Sequence, residues 1–234
     1  MFPSPAATTY YHMHRYDQMP CRSLPYLDRA AVIIETRDMP ILPWTINNII
    51  FFTQWPVIVY HSNLNSDYLK QIHLLKRIEI SADFSIDYYN ELLVSRTFWQ
   101  SLPSYVLMFQ TDSFMLRSGI DSFRKYDYIG APWTRKNLKC FSIPRNIGNG
   151  GFSLRRRDKM LQIIDACPYP NGLAEDMYFA QGFEKVGGKL PSIWVKKRFS
   201  VEHIYYDQPL GVHAPWLAFN EKKLNRIFEL PASK

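Results

Sequence analysis

Five short stretches carry residues whose type and spacing can do chemistry. Asp112 stands in Gln110-Thr111-Asp112-Ser113, directly after the uncharged run Tyr105 to Phe109, and a carboxylate among oxygen-bearing neighbours suits a divalent cation. In isolation T-D-S is usually a turn or a helix cap. Gly148-Asn149-Gly150-Gly151 allows backbone conformations and close approaches that a side chain forbids, so a ligand could press against it, although such a run is more often only a turn. Arg155 to Arg157 with Lys159 read as a solvated helix start, unless one inward Arg holds a phosphate or carboxylate bidentately. Glu175 and Asp176 open an amphipathic helix, where acids favour the dipole in any case; as a functional pair, one could take a proton from a hydroxyl while the other orients a group. His213 follows a glycine in an aromatic, Pro-flanked segment. A lone His is more often structural, yet imidazole commonly joins a carboxylate in holding a metal.

These residues need a scaffold, and the hydrophobic pattern supplies one. Tyr105 to Phe109 has the length of a strand buried on both faces, and in an open α/β sheet the ligand crevice lies at the carboxyl ends of the strands. Asp112 would sit at its lip. Ala30 to Ile34 is a first buried strand with a polar mouth, Glu35-Thr36-Arg37-Asp38. Pro43 to Phe52 reads as a helix, Pro56 to Tyr60 as a strand, Ser66 to Leu75 as a helix and Arg77 to Ile80 as a short strand. Asp87 to Leu102 has one continuous helical pattern and delivers the chain into the central strand. Alternation of this kind predicts a mixed α/β sheet with a parallel core and helices on both faces. Aromatic residues on these helices are expected to pack in the core.

Residues 1–28, rich in Pro and Tyr without periodicity, are expected to form an extended arm lying on a single domain spanning residues 29–234. With 47% apolar residues, the 234-residue chain has ample material for one core. An excess of 28 Lys and Arg over 21 Asp and Glu gives a formal +7, which favours an anionic ligand: nucleic acid, a diphosphate or a membrane surface. Cys21, Cys140 and Cys167 are odd in number and unpaired in spacing, against a disulfide framework or a zinc site. The expectation is a soluble chain in a reducing, cytoplasmic setting, with no signal peptide and no transmembrane segment.

Taken in order, F-Q-T-D-S, Y-I-G-A-P-W, G-N-G-G-F-S-L-R, E-D-M-Y-F, F-S-V-E and G-V-H-A-P-W, preceded by Y-N-E-L-L and an F-W pair, resemble a family of glycosyltransferases with the GT-A fold, long catalogued as a domain of unknown function. The resemblance covers about Ala30 to Trp216 and rests on the ordered set. It implies a GT-A-like, Rossmann-like fold and transfer of a sugar from a nucleotide-diphosphate donor, with UDP the expected carrier, to a hydroxyl of a glycan or other acceptor. Thr111-Asp112-Ser113 takes the place of the metal-binding D-x-D signature but lacks its second acid. Asp112 and His213 are thus the implied ligands of Mn²⁺ or Mg²⁺. Asp176 is the implied base of an inverting reaction, with Glu175 second. Glu35, Thr36, Arg37, Thr111, Ser113, Gly150, Gly151 and Arg155 are the expected donor contacts. A retaining enzyme would need no such base. The rival classes are a non-catalytic carbohydrate-binding protein and a nucleic-acid-binding protein; scattered basic residues and the lack of a nucleic-acid motif weigh against the latter, so no nucleic-acid partner is expected.

Overall fold

The computed structural model describes residues 4–14, 16, 28–70, 72, 76–83, 85–140, 142 and 145–229, and the side chain of Cys140 is outside that description. Along the chain the strands are β1 (Arg29–Glu35), β2 (Val57–His61), β3 (Lys76–Glu79), β4 (Tyr105–Phe109), β5 (Ser113–Met115), β6 (Tyr128–Gly130), β7 (Phe152–Arg156), β8 (Ser200–Val201) and β9 (Gly211–His213). The helices are α1 (Pro5–Met13), α2 (Leu42–Thr53), α3 (Ser66–Leu69), α4 (Ile86–Leu93), α5 (Arg96–Gln100), α6 (Arg135–Cys140), α7 (Arg157–Ala166), α8 (Glu175–Val186), α9 (Ile193–Phe199) and α10 (Glu221–Ile227).

Six strands form one sheet in the order β3-β2-β1-β4-β7-β6, parallel from β3 to β4, with β7 antiparallel to both of its neighbours. Successive side chains of a strand face opposite ways, and β1 shows the result. Ala30, Val32 and Ile34 enter one apolar cluster with Trp99, Phe179 and Phe183, while Ala31 and Ile33 enter the other with Ile46, Ile49 and Phe152. Burial on both faces is why β1, β2 and β4 read as apolar runs, whereas the edge strand β3, Lys76–Glu79, is charged and mostly exposed. A second sheet, β5-β9-β8, joins α1 and α10 in a third cluster built on Phe114, Val212 and Leu224.

Two expectations are corrected. Residues 5–13 are not extended: Ser4 caps α1 through the Ala7 N–H, and the Glu221 carboxylate of α10 accepts from Ser4 Oγ at 3.1 Å and from the Ala6 N–H at 2.9 Å. These interactions satisfy helix-start donors that would otherwise be orphaned. Residues 1–3, 15 and 17–27 of the expected arm, Cys21 among them, lie outside the described residues. The continuous helix over 87–102 is two helices, because the first stops at Leu93 with Val94 as its cap and Ser95 starts the next, its hydroxyl accepting from the Phe98 N–H. A hydroxyl that bonds its local backbone competes with helix continuation. The helix expected over 66–75 is described as Ser66–Leu69, with 71 and 73–75 outside the described residues.

The topology fixes the site. Phe109, last in β4, is paired with Phe152, first in antiparallel β7, so the segment leaving one strand and the glycine loop entering the other meet at one mouth of the sheet. In the small sheet Ser113 is paired with His213, and the Asp112 carbonyl accepts from the Ala214 N–H at 3.0 Å. A histidine a hundred residues away is thereby set beside Asp112.

Candidate active site

Asp112 presents a partly exposed carboxylate, and its Oδ1 lies 3.5 Å from His213 Nε2. The other ring nitrogen, Nδ1, is 3.2 Å from Glu202 Oε1 as an ion pair, without the alignment of a full hydrogen bond. Gln110 bridges from the strand end, with Oε1 3.1 Å from His213 Nε2 and Nε2 donating to the Tyr89 hydroxyl at 3.2 Å. Burial pulls the His213 proton affinity down, but the Glu202 pairing and the Asp112, Glu202 and Asp176 charges outweigh it and the imidazole ends above its ordinary value. Burial pushes the Glu202 carboxyl up, and His203 and His213 together reverse this to below the ordinary value. Asp112 Oδ1, His213 Nδ1 and Glu202 Oε2 are buried atoms without a hydrogen-bond partner. Three orphans in one cluster run against the rule that buried polar atoms are satisfied.

Asp176 lies across the glycine loop. Its Oδ2 accepts from the Gly150 N–H at 3.2 Å, and burial first, the Glu175 charge second, push its carboxyl up to about 7 against the opposing pull of the Gly150 N–H and Arg155. A carboxyl poised there suits general-base work near neutral pH. Glu175 has a different fate. Arg155, wholly buried, grips it bidentately with Nη1 to Oε2 at 2.6 Å and Nη2 to Oε1 at 2.9 Å, under the rings of Tyr128, Trp99 and Phe179. Arg155 Nε donates to Ser153 Oγ at 2.8 Å, and Asn90 Oδ1 accepts from the Glu175 N–H at 3.1 Å.

The polar mouth of β1 faces the same crevice. Glu35 accepts from the Arg37 backbone N–H and Nε through Oε1, and from Arg37 Nη2 and Thr111 Oγ1 through Oε2. That pairing raises the proton affinity of Arg37, whose side chain is 71% exposed. A cleft of about 340 Å³ lies here, lined by Glu35, Thr36, Arg37, Tyr89, Gln110 and Asp112 together with the start of α4.

The structure thus gathers Asp112, His213, Glu35, Thr36, Arg37, Asp176 and the glycine loop at one end of the sheet. It withdraws four expected residues from direct ligand contact. Arg155 is inside the protein and held by Glu175, so it cannot reach a donor, and Glu175, neutralised by it, is a poor second base. Thr111 and Ser113 are buried, their hydroxyls donating to Glu35 and to the Gly151 carbonyl. The glycines serve the protein itself: a Cβ at Gly150 would come 2.1 Å from Glu175 Oε1, and one at Gly151 2.3 Å from His213 Nε2. The segment 134–146 carries α6, and its residues 141, 143 and 144 are outside the described residues. Glu202, Asn149 and Gln110 were not among the expected site residues. Glu202 stands in F-S-V-E, and nothing in that stretch says which way its side chain points.

Among the described residues, no group of three or more His, Cys, Asp or Glu is arranged to hold a metal ion by itself, and no helix is long and apolar enough to cross a membrane.

The family model described as "Protein of unknown function (DUF5672)" matches residues 74–213, a span that contains Asp112, Gly150, Asp176, Glu202 and His213 but not the β1 mouth. Among solved structures, the chain is similar to the apo form of the glycosyltransferase GlyE in Streptococcus pneumoniae TIGR4, at 10% identity and a TM-score of 0.51, covering 83% of this chain and 55% of that one. It is also similar to the apo structure of the bifunctional glycosyltransferase WbbM, at 10% identity and a TM-score of 0.49, covering 83% of this chain and 47% of that one. The chain spans about half the length of these structures. The likeness to GlyE establishes a GT-A-like fold. No curated protein matches the chain in sequence.

Proposed function

The chain belongs to the DUF5672 family, and on that premise we propose that it is a glycosyltransferase moving a sugar from a nucleotide-diphosphate donor, UDP the expected carrier, to a hydroxyl of a glycan or other acceptor. Asp176 carries this reading: a carboxyl pushed up to about 7, oriented by a loop N–H, at the same mouth of the sheet as Asp112 and His213. Fold alone would not suffice, since one fold hosts many functions. The cleft of about 340 Å³ beside Glu35 and Arg37 is of ligand size and takes the donor. Arg37, braced by Glu35 and exposed, offers its charge to the diphosphate.

A divalent cation fits the residues present. Asp112 Oδ1 makes no hydrogen bond and lies 3.5 Å from His213 Nε2, a hard carboxylate and an imidazole of the kind that Mn²⁺ accepts. Asp112 and His213 would hold the ion, with a donor diphosphate adding the further oxygen ligands that Mg²⁺ takes at nucleotide sites. When bound, the ion would neutralise charge growing on the leaving diphosphate. In the transfer itself the acceptor oxygen bonds to the anomeric carbon and the bond from that carbon to the diphosphate oxygen breaks, its electron pair leaving with the diphosphate. Asp176 receives the hydroxyl proton, with Oδ2 steadied by the Gly150 N–H. A base opposite the leaving group makes the reaction inverting.

Asp112→Asn tests the metal half. With a panel of nucleotide sugars and Mn²⁺, the wild type should release nucleotide diphosphate in a metal-dependent manner, and the variant should lose this at an unchanged melting temperature, because the side chain is 41% exposed. An Asp112→Asn protein with full, metal-dependent turnover would refute the site. Retention of the anomeric configuration in the product would remove Asp176 as the base.

A further inference from the structure

We infer that Glu202 is the positioning residue of His213: with Asn149 it pins the imidazole so that Nδ1 carries the proton and Nε2 faces Asp112. This rests on the proposed function for its metal, and on the geometry alone for the pairing. Glu202 is buried, and its Oε1 lies 3.2 Å from His213 Nδ1. Asn149 Nδ2 donates to that same oxygen at 3.2 Å, while Asn149 Oδ1 accepts from the Gly151 N–H at 2.6 Å. The loop that holds Asp176 through Gly150 is therefore tied to the ring that faces Asp112. The ring is also held from beneath, since a Cβ at Gly151 would be within 2.7 Å of three of its atoms.

A neutral imidazole has one N–H and one lone pair, and the partner of one nitrogen decides which atom is left for a ligand. A carboxylate accepts and cannot donate, and carboxylates face both ring nitrogens; Glu202 is the nearer, at 3.2 Å against 3.5 Å for Asp112, so it keeps the hydrogen on Nδ1 and leaves the lone pair on Nε2. Gln110 does not oppose this: a half-turn of its amide presents N–H in place of oxygen to Nε2, with the Tyr89 hydroxyl able to serve either face. Burial pushes the Tyr89 phenol up, so it stays a hydroxyl that can donate or accept. Carboxylate-backed histidines are the usual way in which proteins orient a metal-binding ring. Glu202 Oε2 is 3.5 Å from His203 Nδ1, an ion-pair distance without a hydrogen bond, so His203 adds charge beside the carboxylate but leaves that oxygen unsatisfied.

Two measurements on wild type, Glu202→Gln and Asn149→Ala test this. In metal-free protein, long-range ¹⁵N NMR of the His213 ring should show Nδ1–H in the neutral wild type and a shift towards Nε2–H in Glu202→Gln, whose amide can donate to Nδ1. An unchanged tautomer in Glu202→Gln, or an Nε2–H ring in the wild type, overturns the pairing whether or not metal binds. Mn²⁺ affinity is then read by electron paramagnetic resonance of the free ion with UDP present and no acceptor. It should fall about 10- to 100-fold in Glu202→Gln and by a smaller factor in Asn149→Ala, with metal-free UDP binding unchanged. Equal Mn²⁺ affinity in wild type and Glu202→Gln would also overturn the proposal. A wild type with the expected tautomer but no Mn²⁺ binding would instead support the pairing and sink the metal reading of the site.

Discussion

Two charged clusters meet on opposite sides of Gly150 and Gly151, and they differ in one respect. Below the loop, Arg155 and Glu175 satisfy each other: two charge-assisted bonds, further bonds from Arg155 to Ser153 and Gly150, and aromatic rings over the guanidinium. Above it, Asp112, His213 and Glu202 crowd three titratable groups together and leave three buried atoms without hydrogen bonds. A satisfied pair sealed inside the protein, unlike exposed Arg37, has nothing left to offer a ligand, whereas an unsatisfied group gains from binding it. Glu175 and Asp176 repeat the contrast between adjacent residues. Glu175 is paired with Arg155, and half-buried Asp176 next to it has its carboxyl pushed up to about 7, by desolvation first and by the Glu175 charge second.

The contrast breaks most visibly at Asp176. Asp176→Asn should lower turnover by about 10²- to 10⁴-fold with donor affinity unchanged, because the base acts on the acceptor and not on the diphosphate. Steady-state kinetics with calorimetric donor binding would check this, and near-normal turnover would reduce Asp176 to a helix-start acid. Arg155→Met probes the satisfied cluster. Leaving Glu175 buried without its partner should cost about 3–5 kcal/mol in urea unfolding, and the double change Arg155→Met with Glu175→Leu should recover much of the loss. A single variant of wild-type stability would mean that the pair is not the closed unit its distances indicate.

The smallest effect concerns pH and sharpens the difference between the two acids. Asp176 has its folded proton affinity raised from 3.8 to about 7, so the folded state holds the proton more tightly than the unfolded chain. Its contribution to stability is fully present below 3.8 and is lost as pH rises through about 7. Base catalysis runs the other way and should climb through about pH 7. Asp176→Asn should flatten both profiles. An activity profile level between pH 5 and 8, of the kind an ordinary carboxylate would give, would contradict the perturbed group.

Local pattern made much of the framework legible. The strand at Tyr105 to Phe109 and the helix opening at Glu175 could be read directly, because an uncharged run buried on both faces and an amphipathic repeat are local signals. The split at Ser95 and the helix at Pro5–Met13 were harder, since a hydroxyl cap competes with a pattern that runs through it, and α1 owes part of its start to a carboxylate from α10. At the site, Asp112, Asp176 and His213 stood out by type and setting. The true occupations of Arg155, Thr111 and Ser113 did not, because residue type gives hydrogen-bonding capacity and not direction.

By itself the sequence determined which segments bury apolar surface, where each strand ends in polar residues, and which acids and imidazole were available for chemistry. Only the tertiary structure decided which carboxylate would be neutralised and which would remain reactive. That outcome depends on partners far along the chain: Asn90 on the Glu175 N–H, Glu202 and Asp112 on the two sides of His213, Gly150 on Asp176. Electrostatic interaction and desolvation act through distances of a few ångströms in space, and sequence separation does not encode those distances.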